Sequence, residues 1–375
     1  MLRRSLASLA FAIHVCLTAM VMAQSSVPFY IGSYTGGRSQ GIYRSTLDLA
    51  SGHMTAPKLV ARLENPSFLC IHPSQPRLYA VSEVGEGDRQ VVAFTIEDDG
   101  GLSEINQLSA EGSAPCYVSV DDSGKYVFVA NYSSGNILSI ALDDNGGLRE
   151  IVSNQQHEGR SVNQRRQQGP HAHCVLPDPS NNFVCAANLG LDQVLIYEFD
   201  QQTGALRSTE HPLRIAPGGG PRHLTFHPDG KYAFVLHEMT SKVTALKWDH
   251  QNGKLFSIQT LSTLPADFET NNSTAEVLVH PNGRFVYVSN RGHDSIAVFE
   301  WNVATEQLKL VDHTPSGGKT PRNFRLNPSG EFLLTQNQNS NSIFAFRVDA
   351  TTGRLEKVGN ELMVGNPCCI KFYDR

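Results

Sequence analysis

The feature that most constrains this chain is an internal repeat with a period of about fifty residues. Its clearest landmarks are turn signals built from Pro, Asp, Asn and Gly: His72-Pro73-Ser74, Asp121-Asp122-Ser123-Gly124, Leu176-Pro177-Asp178, His227-Pro228-Asp229-Gly230, His280-Pro281-Asn282-Gly283 and Asn327-Pro328-Ser329-Gly330. A run rich in Val, Phe and Tyr follows each turn, as in Tyr126-Val127-Phe128-Val129-Ala130 and Phe285-Val286-Tyr287-Val288-Ser289. A polar loop then leads to a second alternating run, such as Ile137 to Ile140 or Ile296 to Phe299, and to a further turn such as Asp144-Asn145-Gly146-Gly147. Four short strands per unit at this period describe a propeller blade. The 3.6-residue periodicity that a helical solenoid needs is not found.

A second landmark fixes the register. A proline precedes most of the turns by a constant interval: Pro66, Pro115, Pro170, Pro221 and Pro321, with Thr274 at the equivalent place in the repeat of Pro281. Two partial copies remain. Tyr30-Ile31-Gly32-Ser33-Tyr34 reads as a second strand with no first strand before it, and Pro367-Cys368-Cys369-Ile370-Lys371-Phe372 reads as a first strand after which the chain ends. Together they make one blade. The expectation is an all-β, seven-bladed β-propeller over residues 24–375, its ring closed by the C-terminal strand completing the N-terminal blade, so that no sheet edge stays open at the closure.

Residues 1–23 differ in kind. Arg3 and Arg4 precede a mostly apolar stretch from Leu6 to Met22, and Val21-Met22-Ala23 ends on a small residue. This is the pattern of a cleaved secretory signal, so a mature start near Gln24, a periplasmic or secreted location and no stable membrane anchor are expected. The cysteines that remain are Cys70, Cys116, Cys174, Cys185, Cys368 and Cys369. Their spacing is not that of a metal site, and most lie in apolar strand patterns, where cysteine packs as a small hydrophobe; oxidation in an exported protein stays open. The net charge of −5 and the lack of a basic run argue against a nucleic-acid partner.

Propeller geometry locates a site. The first strand of each blade lines the channel and the second runs antiparallel beside it, so the start of one and the end of the other share a face. Strand starts supply Ser67, Cys116, His171, Arg222, Ala275, Arg322 and Cys368; second-strand ends supply Tyr34, Glu83, Tyr132, Leu189, Glu238, Arg291 and Gln338. Alternation places His173 on the side of His171. One mouth is thus expected to gather His171, His173, Arg222, Glu238, Arg291, Arg322 and Glu83, a density of ionisable groups typical of a reactive cleft. The loop from Gln155 to Gly169, with His157, Arg160, Arg165 and Arg166, precedes His171 and reads either as a lid over that face or as a solvated loop. His72, His227 and His280 belong to the turn signature and read as structural; His223 sits lower in its repeat. The three clustered ligands of a catalytic zinc are missing, and no nucleotide fingerprint is found, so neither metal nor cofactor is expected.

Gly169-Pro170-His171-Ala172-His173, Gly220-Pro221-Arg222-His223-Leu224, His227 to Tyr232 with Glu238 after it, and Val288-Ser289-Asn290-Arg291-Gly292-His293-Asp294-Ser295-Ile296 resemble the propeller-type lactonase family. That family includes bacterial propeller 6-phosphogluconolactonases and fungal carboxymuconate-lactonising enzymes, and the resemblance covers nearly all of the chain after the signal. It implies hydrolysis of a sugar-derived lactone, foremost 6-phosphogluconolactone, with a histidine of the His171/His173 pair, Arg222 and Glu238 as the reacting group and Arg291 as a further motif arginine. The bacterial phosphogluconolactonases work in the cytosol, and here an export signal precedes the propeller. Such chemistry needs a base for water, a cation for the oxyanion and an acid for the leaving oxygen. Glu238 or His173 would be the base, Arg222 would hold the oxyanion and His171 would protonate the alkoxide. Arg291, Arg322 and Glu83 would bind a small, anionic substrate. A lyase or cycloisomerase acting on a muconate-type diacid, and a non-catalytic binding platform, are the alternatives.

Overall fold

In the computed structural model, residues 25–85 and 90–374 are described; the expected signal lies outside them. Each repeat folds into an antiparallel meander, because its apolar runs are short, β-branched or aromatic, and cut by turns. Seven such sheets stand among the described residues, six with four strands and one with a fifth short strand, Leu213–Arg214. Blades are numbered here from the one holding the chain's first strand. Blade 1 joins the inner strand Pro367–Phe372 to Ser26–Ser33, Gly41–Asp48 and Lys58–Arg62. Ile31 faces Ile370 and Phe29 faces Phe372 across that seam. Closure by the C-terminal strand is therefore as the partial repeats foretold. The inner strands of blades 2 to 7 are Leu69–Ile71, Pro115–Val120, Ala172–Pro177, Pro221–Phe226, Ser273–Val279 and Pro321–Leu326.

The hydrophobic core lies between blades. Tyr232, Phe234 and Val243 of blade 5, for example, pack with Val277, Val286, Phe299 and Trp301 of blade 6. Such burial contributes roughly 1.5–3 kcal/mol per large side chain. Polar ties add direction. Hydroxyls of Tyr30, Tyr79 and Tyr287 each donate to a turn carbonyl of the next blade, at Gly100, Gly146 and Gly353. The turn histidines do likewise: Nε2 of His72, His227 and His280 meets the carbonyls of Gly124, Gly283 and Gly330 at 2.9, 2.8 and 3.0 Å. Where the repeat has Asp or Asn instead, the side chain caps its own turn, as Asp178 Oδ1 does for the amides of Asn182 and Phe183.

One departure from regular pairing shapes the channel. In every blade but blade 2, the register slips by one residue at the start of the inner strand, as between Pro221 and Leu224 or Thr274 and Val277. A bulge breaks strict alternation and re-aims side chains. Arg222 and His223, neighbours in sequence, consequently both line the channel.

Candidate active site

Two levels that share wall residues can be distinguished at the mouth where inner strands begin. The upper is a recess of about 290 Å³ lined by Glu83, Tyr132, Arg166, His173, Glu238, Ser273, Arg291 and Arg322. The lower is a cavity of about 10 Å³, room for about one water molecule. Arg222, Ser67 and Cys116 are among its walls, and Glu83 and Arg322 border both levels. Ser67 Oγ is buried there with no hydrogen-bond partner among the described residues.

Glu238 is the hub. It follows the second strand of blade 5, its amide tied to Gly220 O, and it is only 5% exposed. Arg166 Nη2 lies 2.7 Å from Oε1, while Arg222 Nε and Arg291 Nη2 lie 3.1 and 3.2 Å from Oε2. Burial alone would push the carboxyl up; Arg291, Arg222, His173 and Arg166 outweigh it and hold it well below the usual carboxylate range. The clamp leaves capacity unused. Among the described residues the buried Nε–H groups of Arg222 and Arg291 have no hydrogen-bond partner; the 3.1 Å approach of Arg222 Nε to Glu238 is an ion pair without hydrogen-bond alignment. A second arm runs from Arg322 Nη2 to Tyr34 Oη at 2.7 Å, and from that hydroxyl to Glu83 Oε2 at 2.7 Å. Burial pushes the Tyr34 phenol well above its usual range, so it stays the donor to Glu83.

The two histidines part company. His173 lines the recess, with Nδ1 3.7 Å from Cys116 Sγ. Burial, reinforced by Arg222 and His223, holds its imidazole well below the usual histidine range, and Glu238 pulls the other way. His171 does not line the recess. Its Nδ1 donates to Tyr132 O at 2.9 Å, and its ring stacks on Tyr132 at 4.5 Å, with His173 meeting the same tyrosine edge-on at 5.4 Å. The bulge between Ala172 and Cys174 accounts for this, because two-residue alternation does not hold across it.

Beneath Arg222 lies a network that strand-start reasoning missed. Arg222 Nη1 donates to Ala275 O and to His223 Nε2, the latter at 3.1 Å. His223 Nδ1 is 2.8 Å from Glu276 Oε1, and Asn323 Nδ2 donates to Glu276 Oε2. Burial raises the Glu276 carboxyl to about 7, with Arg222 and then Lys371 opposing. The signal that could have found Glu276 is its place directly after Ala275 on a bulged strand.

The structure thus brings together His173, Arg222, Glu238, Arg291, Arg322 and Glu83, and sets His171 behind Tyr132. The loop from Gln155 to Gly169 adds Arg166, which also donates to Tyr132 Oη at 3.2 Å. The loop is anchored by buried His157, which meets Asn188 Nδ2 and Tyr197 Oη at 2.7 and 2.9 Å. All six described cysteines are free, and among the described residues no three His, Cys, Asp or Glu side chains are grouped to hold a metal ion.

Residues 28–372 match the family described as "Lactonase, 7-bladed beta-propeller". The 6-phosphogluconolactonase of Bacillus subtilis is 38% identical over 345 residues, spanning 92% of this chain and 97% of that protein. The periplasmic gluconolactonase of Pseudomonas aeruginosa superposes with a TM-score of 0.88 at 32% identity, covering 93% of this chain and 99% of that one. A Lactobacillus plantarum protein superposes with a TM-score of 0.87 at 32% identity, covering 93% and 100%.

Proposed function

The chain belongs to the seven-bladed β-propeller lactonase family, and from that premise we propose that it hydrolyses a sugar-derived lactone carrying an anionic group, with 6-phosphogluconolactone as the first candidate. The observation that carries the reading is the charge of the recess. Among the described residues, Arg166, Arg291 and Arg322 line the recess with the carboxylates Glu83 and Glu238, and Arg222 lies beneath, in a chain whose net charge is −5. A local excess of forked cations suits a phosphate or carboxylate. The Tyr34–Glu83 arm offers an acceptor for sugar hydroxyls.

In this mechanism a water in the recess attacks the lactone carbonyl while neutral His173 takes its proton. Glu238 is held ionised by its arginines, so its part is to stabilise the imidazolium that forms. The carbonyl oxygen enters the lower cavity, where Arg222 and Ser67 Oγ meet the developing negative charge. The tetrahedral intermediate collapses with cleavage of the ring C–O bond, and His173 returns its proton to the leaving oxygen. The product hydroxy acid then ionises, releasing one proton to solvent. We give the proton's return to His173 and not to His171, which lies outside the recess lining.

The signal-like sequence pattern of residues 1–23 and the periplasmic location of the Pseudomonas aeruginosa relative support export of this chain too. The large exposed apolar side chains among the described residues, Val162, Phe256, Val303, Leu310 and Met363, are spread over a loop and the outer parts of blades 5, 6 and 7, which favours catalysis over a docking platform. The test is acid release from 6-phosphogluconolactone and unphosphorylated gluconolactone, corrected for spontaneous hydrolysis, with proton uptake on lactonisation of a muconate-type diacid followed in parallel. Faster turnover of the phosphorylated lactone is expected. Conversion of the diacid alone would replace hydrolysis by lactonisation, and no turnover of any of the three would overturn the reading.

A further inference from the structure

We propose that Glu276 is a positioning residue: acting through the tautomer of His223, it holds the Arg222 guanidinium in place at the floor of the site. The proposal rests on the hydrolytic reading for its kinetic part only. Arg222 Nη1 can only donate, so His223 Nε2, 3.1 Å away, must be the bare acceptor nitrogen. A neutral imidazole then carries its proton on Nδ1, and that nitrogen lies 2.8 Å from Glu276 Oε1. Burial, with Arg222, Arg322 and Lys371, keeps His223 far below the usual histidine range, so the neutral form is the resident one.

Glu276 is suited to impose this tautomer because its surroundings supply donors. Val277 N reaches Oε1 at 3.0 Å and Asn323 Nδ2 reaches Oε2, leaving both oxygens as acceptors. The charged groups acting on it are Arg222 from blade 5, Arg325 from blade 7 and Lys371 from blade 1; the titratable neighbours Tyr117 and Cys174, from blades 3 and 4, are held in their neutral forms by burial. The imidazole cannot turn away freely, since the rings of Phe68, Tyr117 and His173 pack around it at 5.8, 5.2 and 5.4 Å. The pull on Arg222 from below therefore has a fixed direction, opposite in sense to that of Glu238 above.

Glu276→Gln is nearly isosteric; with its amide nitrogen in the place of Oε1, where it gives up the Val277 N contact, it presents a donor to His223 Nδ1. The proton would then move to Nε2, where it would confront Arg222 Nη1 donor to donor. The first measurement is nitrogen-15 NMR of the His223 ring in the full chain. The proton is expected on Nδ1 in the wild type and on Nε2 in Glu276→Gln; a wild-type Nε2–H would overturn the proposal whether or not any lactone is hydrolysed. The second is steady-state kinetics on the best lactone. In Glu276→Gln, kcat should fall roughly a hundredfold with KM little changed, the scale for a misplaced group. Glu276→Asp should recover part of the loss. Against a His223→Phe background, Glu276→Gln should add little, because the link is already cut. A folded Glu276→Gln protein with kcat within threefold of wild type, or losses in the two variants that simply multiply, would overturn the proposal. An inactive wild type would instead sink the hydrolytic reading, and the ring tautomer would still decide the role of Glu276.

Discussion

Replacing Arg222 by alanine separates two jobs that this side chain does at once. It is 3% exposed, pairs with Glu238 at 3.1 Å, and caps two buried acceptors, Ala275 O and His223 Nε2. Stripping a buried charge of all its partners costs roughly 3–5 kcal/mol. Here Glu238 keeps Arg166 at 2.7 Å and Arg291 at 3.2 Å, so the cost should stay below that range. The two acceptors left bare add about 1–3 kcal/mol each, offset in part because a desolvated guanidinium has been removed. A net loss near 2 kcal/mol lowers Tm by only a few degrees in a chain of this length. The kinetic loss should be much larger. Loss of one oxyanion donor lowers kcat about a hundred- to a thousandfold. KM should move little, because the stabilising contact is made to charge that exists only in the transition state. Arg222→Lys should restore stability better than rate, since a flexible ammonium cannot reproduce the fork. The assay is acid release on the best lactone, with Tm measured on the same preparations. A folded Arg222→Ala protein whose kcat stays within tenfold of wild type, or whose defect is confined to KM, would refute the assignment.

Three further outcomes are expected. Arg166→Ala, at a side chain 43% exposed, should raise KM for 6-phosphogluconolactone more than for gluconolactone without changing Tm; equal effects on both would place Arg166 outside anion binding. Deleting Pro367–Arg375 should lower Tm strongly, because Cys369 and Ile370 are fully buried and Ile370→Ala alone should cost about 2–5 kcal/mol; an unchanged melt would contradict ring closure. Burial lowers the imidazoles of His157 and His237 to about 4, below their unfolded value of about 6.5. Their neutral forms therefore add stability above pH 6.5 that drains away as pH falls toward 4; His157→Gln should flatten this acid limb in pH-dependent melts, and an unaltered limb would show that His157 does not contribute to it.

Most of the ring was written in the sequence because a propeller converts period into position. The turn signals numbered the blades, and the orphan strands at Tyr30 and Pro367 named the seam. Strand starts and second-strand ends then pointed to Arg222, Arg322, Glu83, Glu238 and Arg291 without knowledge of any side-chain contact. What failed was strict alternation. It assigned His171 and His173 to one side, and it passed over His223 and Glu276, because the bulge at the head of the inner strand admits an extra residue that no local pattern announces. Arg166 was visible only as one of several cations in a long loop. Its singling out depends on how His157 docks that loop against Asn188 and Tyr197, a tertiary fact.

The seam in blade 1 has a consequence for how the molecule is made. During synthesis blades 2 to 7 can each complete themselves as their own residues emerge, yet the strand Ser26–Ser33 waits with a bare edge until Pro367–Phe372 has been released. The strand that Ser26–Ser33 needs is thus translated after every strand of blades 2 to 7. A chain stopped early, or cut near its end, keeps an exposed pairing edge that proteases and chaperones can recognise. Only a chain translated through Phe372 is sealed.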